Sequence, residues 1–214
     1  MFNKKIVIYT AIDRGTYILK DQKFVPDNAK LIAIINKNIP MYGWAKMRLE
    51  KKYEEDRRLN YKWYKMMPHL IFPEYEYSLW MDSIFVLNGD INPYFEKYLS
   101  DANAAFFKHH ANRDCLYEEG HICADLKLAP RDTVNEQLSK YKQDGYPEHN
   151  GLIMSGIILR KHHEKDVINC MEQWFEETKT FCRRDQVSFN YVAWKNNFKF
   201  NYINDKYNHP IFHG

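Results

Sequence analysis

The stretch Tyr77-Ser78-Leu79-Trp80-Met81-Asp82 decides the interpretation of the fold. Its bulky, mostly apolar residues follow Pro73 and end on a carboxylate, which is typical of a buried β-strand that stops at residue 82. In sheets covered by helices, ligands bind at the edge formed by the carboxyl ends of the strands. The pattern therefore places Asp82 at that edge.

Other strands and helices alternate on both sides of this segment. We predict strands at residues 5–11, 30–35, 104–108, 151–160 and 198–203, and helices at residues 43–67, 133–144, 164–181 and 184–196. This alternation predicts an α/β fold with a doubly wound, mostly parallel sheet flanked by helices. A length of 214 residues fits one domain, residues 1–214.

The composition is that of a globular domain and excludes several classes of protein. Hydrophobic residues make up 45% and charged residues 28%, and the net charge of +3 comes from interspersed acids and bases. Neither a basic stripe nor an RNP-like motif supports an RNA-binding domain or a small nuclease. No apolar run approaches the roughly 20 residues that span a bilayer, so no membrane segment is expected.

Cysteine usage and the N-terminus favour a cytoplasmic protein. The cysteines show neither a C-x-x-C pair nor zinc-site spacing; they are Cys115, Cys123, Cys170 and Cys182. The apolar run at the N-terminus is short, lacks a cleavage-type end and fits a strand better than a signal peptide. Because the sequence stops at Gly214 without a polar tail, we expect it to be the first module of a longer protein.

Asp82 carries the chemistry that this fold suggests. A carboxylate at the ligand edge can hold Mg²⁺ or Mn²⁺ against a diphosphate, since phosphate oxygens and water supply the other ligands. The alternative is that Asp82 caps the next turn, as isolated aspartates at strand ends often do.

Several segments resemble a known family in their order and spacing. They are residues 5–12, 68–82 and 113–119, Gly145-Tyr146-Pro147, residues 151–160 and residues 184–191. Together they resemble a glycosyltransferase-like domain of plant cell-wall proteins and bacterial polysaccharide clusters, and they are also similar to glycosyltransferase modules of algal large DNA viruses such as chloroviruses. The resemblance implies a GT-A fold and transfer of a sugar from a nucleoside diphosphate, in the host cytoplasm if the protein is viral.

The resemblance implies a metal site that is incomplete in this sequence. Many GT-A enzymes carry Asp-x-Asp, whereas this chain has Asp82-Ser83-Ile84. A histidine near the end of the domain supplies a further metal ligand in related enzymes, so His209 or His213 is expected to join Asp82. An isolated exposed histidine is more often an ordinary surface residue.

Residues from four parts of the sequence are assigned to the nucleotide and its diphosphate. They comprise Thr10, Ala11 and Ile12 at the end of the first strand, Arg58 and Lys65 on the following helix, and Ser83 and Gly156. Lys62 shares the helix face of Arg58 and Lys65 because the spacings are four and three. Plain strand packing and a solvated charged face are the alternatives.

The resemblance also assigns residues to the sugars. Asp185 and Gln186 match an Asp-Gln pair that contacts the donor sugar in retaining GT-A enzymes, although both could simply cap a helix. Arg184 and a charged loop with His109, Arg113 and Glu118 are expected to contact donor or acceptor sugar. Each of these could instead be an ordinary loop residue.

The leading hypothesis is a monomeric, metal-dependent, retaining glycosyltransferase. The donor is expected to be of the UDP-glucose, UDP-galactose or UDP-rhamnose type, and the acceptor a glycan or glycoprotein. The alternative is a nucleotide- or carbohydrate-binding module without catalysis, favoured by the absence of a second acid at position 84.

Overall fold

The computed structural model describes residues 3–13, 18–109, 113–204 and 212–213. The strands are β1 Ile6–Ile12, β2 Ala29–Ile35, β3 Ala45–Arg48, β4 Tyr77–Met81, β5 Val86–Leu87, β6 Ala104–Lys108, β7 Ile153–Arg160, β8 Asn201–Ile203 and β9 Phe212–His213. The helices are α1 Arg57–Met66, α2 Pro68–Ile71, α3 Asn92–Tyr98, α4 Leu116–Asp125, α5 Arg131–Gln143, α6 Lys165–Thr180 and α7 Gln186–Lys195.

A seven-stranded, mostly parallel sheet with the order β3-β2-β1-β4-β7-β6-β8 forms the centre of the fold. The prediction of a doubly wound α/β sheet is confirmed. Strand β7 runs opposite to the others, since it pairs antiparallel with both β4 and β6. Its first residues therefore lie at the edge where β1 and β4 end, and there the Asp82 amide donates to the Gly156 carbonyl at 2.8 Å.

Strand β1 shows why the central strands have nearly continuous apolar sequences. Val7 and Tyr9 pack into the core on one face of the sheet, while Ile6 and Ile8 pack into the core on the other. Strands covered on both faces need apolar residues at every position. On the first face, α1 packs against β1 and α7 against β7, which brings both helices to the same edge of the sheet.

The predicted helix at residues 43–67 is wrong in its first half. Residues Ala45–Arg48 form the edge strand β3, and α1 begins only after Asp56, whose side chain accepts from the Leu59 amide at 2.8 Å. Trp44 packs in the core on one face of the sheet, and Met47 packs against the core on the other. The apolar residues that suggested a helical face thus serve opposite faces of a sheet.

All four cysteines are buried and none forms a disulfide. Within the described ranges, no helix combines the length and the apolar character needed to cross a membrane.

Candidate functional site

A cavity of about 550 Å³ opens at the carboxyl ends of β1 and β4. The end of β1, the exposed side of α1, the turn after β4, the start of β7 and the segment leading into α7 form its walls. The lining includes ten residues predicted from the sequence: Ala11, Ile12, Arg58, Lys65, Asp82, Ser83, Gly156, Arg184, Asp185 and Gln186. Segments distant in sequence meet here because the strand order brings their ends together.

Other predicted residues lie elsewhere. Thr10 is buried within β1 and does not line the cavity, and neither do His109, Arg113 or Glu118. His209 lies outside the described residues. The backbone of His213 belongs to β9, which pairs with β5 just after the Asp82 turn, but its side chain is outside the described part of the chain.

The carboxylate of Asp82 is oriented by two aromatic side chains. Its Oδ1 atom accepts a hydrogen bond from the Tyr61 hydroxyl and one from Trp80 Nε1, the latter at 2.8 Å. The turn that follows is closed by the Phe85 amide, which donates to the Asp82 carbonyl at 3.0 Å. Since these side-chain bonds fix the carboxylate at the cavity, turn capping does not account for its position.

The carboxylate of Asp185 accepts hydrogen bonds from two lysines of α1. Its Oδ2 atom lies 2.7 Å from Lys62 Nζ and 2.6 Å from Lys65 Nζ, and its side chain is only 4% exposed. Although burial by itself raises its pKa, the two ammonium groups hold the pKa of Asp185 well below its usual range. Asp185 occupies the N-cap position of α7, yet its side chain caps no backbone amide, so the capping interpretation is wrong for this residue.

Gln186 is held by the start of β7. Its Nε2 atom donates to the Ile153 carbonyl at 3.2 Å, and its Oε1 atom accepts from Arg184 at 3.4 Å. The Asp185 carbonyl accepts from Trp174 Nε1 at 2.8 Å, which fixes the backbone beside it. The start of α7 is therefore positioned by the sheet and by α6, independently of any ligand.

Basic residues exceed acidic residues in the described lining. Six are basic, namely Arg57, Arg58, Lys62, Lys65, Arg183 and Arg184, and three are acidic, namely Asp13, Asp82 and Asp185. The sequence pointed to Lys62 only as a residue on the helix face of Arg58 and Lys65, and it did not single out Arg57, Tyr61, Arg183 or Asp13 as site residues. The helical spacing of α1 was the available signal for Lys62. A concave site with this charge balance favours an anionic ligand.

The family model of the TOD1/MUCI70 glycosyltransferase-like domain matches residues 8–212. The chain belongs to this family. A curated relative, the probable hexosyltransferase MUCI70 of Arabidopsis thaliana, is 28% identical over 202 residues. That alignment covers 87% of this chain but 32% of the relative, so the chain spans about a third of the length of the curated protein it matches.

Solved glycosyltransferases share the fold of this TOD1/MUCI70 domain. One is involved in glycosylation of the major capsid of the chlorovirus PBCV-1 (TM-score 0.50, 13% identity, 94% of this chain and 82% of that one). A second is GlyE of Streptococcus pneumoniae TIGR4, with a TM-score of 0.51 and 12% identity over 97% of this chain and 47% of that one. A third is mouse xyloside xylosyltransferase 1, with a TM-score of 0.50 and 9% identity over 94% of this chain and 84% of that one. At these identities the similarity establishes the fold alone.

The described residues of this TOD1/MUCI70 domain fit a divalent cation only in part. Asp82 offers Oδ2, which no described residue engages by a hydrogen bond, on a carboxylate that faces the cavity. Within the described ranges, no group of three or more His, Cys, Asp or Glu side chains could hold a metal. A cation bound to Asp82 would therefore take most of its ligands from a diphosphate and from water.

The charged loop predicted at residues 113–119 is largely the start of α4. Glu119, rather than the exposed Glu118, is buried, and its Oε2 atom lies 2.8 Å from Arg113 Nε and 3.9 Å from His109 Nε2. Neighbouring positions on a helix point in directions about 100° apart, so the sequence could not say which glutamate faces inward. Burial acts to lower the pKa of Arg184, but the nearby charges of Asp185 and Glu119 contribute to raising it above its usual value.

Proposed function

We propose that this domain transfers a sugar from a UDP-sugar to a hydroxyl of a glycan acceptor, and that the 550 Å³ cavity holds the donor. The observation that carries the proposal is the excess of basic residues at the carboxyl edge of the sheet, in a chain of a glycosyltransferase-like family. A nucleoside diphosphate supplies the negative charge that this lining favours. UDP-glucose, UDP-galactose and UDP-rhamnose are the proposed donor types.

The nucleotide would lie along the end of β1 and the turn after β4. Ala11 and Ile12 offer apolar surface and backbone groups to the base and ribose, and Ser83 and Gly156 allow close approach beside Asp82. Asp82 would hold Mn²⁺ or Mg²⁺ through its Oδ2 atom, with the side chain of His213 or His209 as a further ligand. When bound, the metal would neutralise charge that develops on the leaving diphosphate.

The donor sugar would lie against Asp185 and Gln186, and the proposed stereochemistry is retention. An inverting enzyme needs a carboxylate that accepts a proton from the acceptor hydroxyl. Asp185 is poorly suited to this role because Lys62 and Lys65 occupy its Oδ2 atom and keep its pKa low. Asp185 would therefore contact the donor sugar as an ionised side chain held in place by the two lysines, and it would not take up the proton of the acceptor.

The acceptor would enter from the side of α4. A second groove of about 540 Å³ shares Arg58 and Leu128 with the donor cavity and continues along Lys127 and Arg131. A glycan lying there would reach the donor without crossing the nucleotide. The four buried thiols suit a reducing compartment, so the proposed location of the protein is the cytoplasm.

The test is the release of UDP from a panel of UDP-sugars in the presence of Mn²⁺. Wild-type protein is expected to hydrolyse at least one donor slowly without an acceptor. Gln186→Ala should lower this rate about 100-fold, whereas Gln143→Ala, the same change at an exposed helical position, should not. If the protein binds UDP but releases it from none of the UDP-sugars, the proposed transferase activity is wrong and a binding module without catalysis is favoured.

A further inference from the structure

Two ammonium groups share one carboxylate oxygen at the floor of the cavity. Lys62 and Lys65 lie three residues apart on α1, and both Nζ atoms lie within 2.7 Å of Asp185 Oδ2. One carboxylate carries one negative charge, so the pair retains one positive charge that Asp185 does not balance. Buried charge of this kind is costly unless a further partner compensates it.

A third buried cation increases this excess. Arg160 is fully buried and donates to the Lys65 carbonyl at 2.8 Å and to the Tyr9 hydroxyl at 2.6 Å. Both acceptors are neutral groups, and no carboxylate of the described residues pairs with this guanidinium. The region beneath the cavity therefore holds more positive than negative charge.

Lys62 is the member of the pair that a ligand can reach. Its side chain is 12% exposed, whereas that of Lys65 is 1% exposed and is enclosed by Trp80 and Trp174, whose ring centroids both lie 5.9 Å from Lys65 Nζ. An ammonium group has three donors, and Asp185 occupies one of those of Lys62. Asp185 is the ion-pair partner of Lys62 among the described residues, so the other two donors can reach an anion in the cavity.

We propose that Lys62 Nζ binds the diphosphate of the donor and stays on the leaving group as the sugar is transferred. This inference rests on the proposed function and adds the residue that neutralises the leaving group from the protein side. Asp185 and Lys65 act as positioning residues, since they hold Lys62 Nζ at the cavity floor. As the bond between the sugar and the phosphate breaks, its electron pair goes to the phosphate oxygen, where a fixed ammonium group stabilises the added charge.

Protonation of Lys62 is coupled to this binding. The pKa of Lys62 is lowered to about 8, because burial and the neighbouring Lys65 together outweigh the opposing effects of Asp185 and Asp82. The other charged groups that line the cavity are Asp13 after β1, Arg57 and Arg58 on α1, and Arg183 and Arg184 before α7. A bound diphosphate favours the ammonium form, so binding should take up protons near pH 8.

The experiment is titration calorimetry of UDP at pH 8 in two buffers of different ionisation enthalpy. Phosphate is ionised at this pH because its second pKa is about 6, so proton uptake reports on the protein. Wild type should take up about half a proton per UDP, as expected for a group half protonated at its pKa. Lys62→Arg should bind UDP without this uptake, and Lys62→Met should bind UDP and inorganic pyrophosphate about 10-fold or more weakly.

The matched control is Lys142→Met, which alters an exposed lysine of α5 that lines neither the cavity nor the neighbouring groove and should leave UDP affinity and proton uptake unchanged. Equal proton uptake by wild type and Lys62→Arg would overturn this inference, as would equal UDP affinity of wild type and Lys62→Met. In both cases UDP binding, and with it the proposed function, would survive. If wild type binds neither UDP nor pyrophosphate, the proposed function fails as well. Should Lys62→Met not fold, the uptake measured for Lys62→Arg decides.

Discussion

Replacing Lys62 by Met is expected to stabilise the unliganded protein. Folding lowers the pKa of this lysine from 10.5 to about 8. The protonated side chain is therefore less favourable in the folded state than in the unfolded chain, and this difference lowers the free energy of unfolding. A difference of about 2.5 between the two pKa values corresponds to about 3 kcal/mol. Methionine has a similar length and no charge, and Asp185 keeps its ion pair with Lys65.

The pH dependence of this gain follows from the same pKa values. Below pH 8 both states hold the proton and the full penalty applies. Between pH 8 and 10.5 the folded state releases the proton while the unfolded state retains it, so wild-type stability rises with pH through that window. The stability of Lys62→Met therefore exceeds that of wild type most below pH 8, and the difference disappears near pH 10.5.

Thermal unfolding followed by circular dichroism tests this expectation. For a chain of this size, 1 kcal/mol corresponds to about 2–4 °C, so the melting temperature at pH 7 should rise by about 6–12 °C. Lys142→Met, at an exposed position of α5, should change stability by less than about 0.5 kcal/mol. A lower melting temperature for Lys62→Met at pH 7, or an advantage that persists at pH 10.5, would refute the reasoning.

Three other substitutions test the remaining groups of the site. Asp82→Ala should abolish the increase in UDP affinity that Mn²⁺ or Mg²⁺ gives wild type, as measured by calorimetry; equal wild-type affinities with and without metal would contradict the metal assignment. Asp185→Asn leaves two ammonium groups without their carboxylate and should cost about 3–5 kcal/mol in denaturant unfolding at pH 7. Because the Asp185 pKa is lowered by folding, this contribution is present above about pH 4 and is lost as the pH falls further; an unchanged denaturation midpoint would exclude it. His213→Ala should weaken Mn²⁺ binding in the presence of UDP, and if both it and His209→Ala bind metal normally, neither histidine is a ligand.

The strands that are buried on both faces of the sheet could be predicted from the sequence. Strands β1, β4 and β7 were recognisable because both faces of the sheet are covered, so nearly every position is apolar. Their ends then fixed where Asp82 and Gly156 lie. The segment before α1 was misassigned because Trp44 and Met47 are spaced as on a helix yet pack on opposite faces of the sheet.

Side-chain partners at the site could not be predicted in the same way. Arg58, Lys62 and Lys65 have equivalent spacing on α1, and only the packing of α1 beside the start of α7 shows that Lys62 and Lys65 meet Asp185. The reversed direction of β7 was also invisible, since a buried strand has the same composition in either direction. Because β7 is reversed, the Gly156 carbonyl lies where it accepts a hydrogen bond from the Asp82 amide.

A crystal structure of the protein with UDP and Mn²⁺ tests the central claim most directly. The account predicts uridine beside Ala11 and Ile12, a phosphate oxygen within about 3 Å of Lys62 Nζ, and Mn²⁺ about 2.0–2.2 Å from Asp82 Oδ2, the spacing of a small divalent cation. UDP bound outside this cavity, or within it but with Asp82 and Lys62 both away from the diphosphate, would contradict the account.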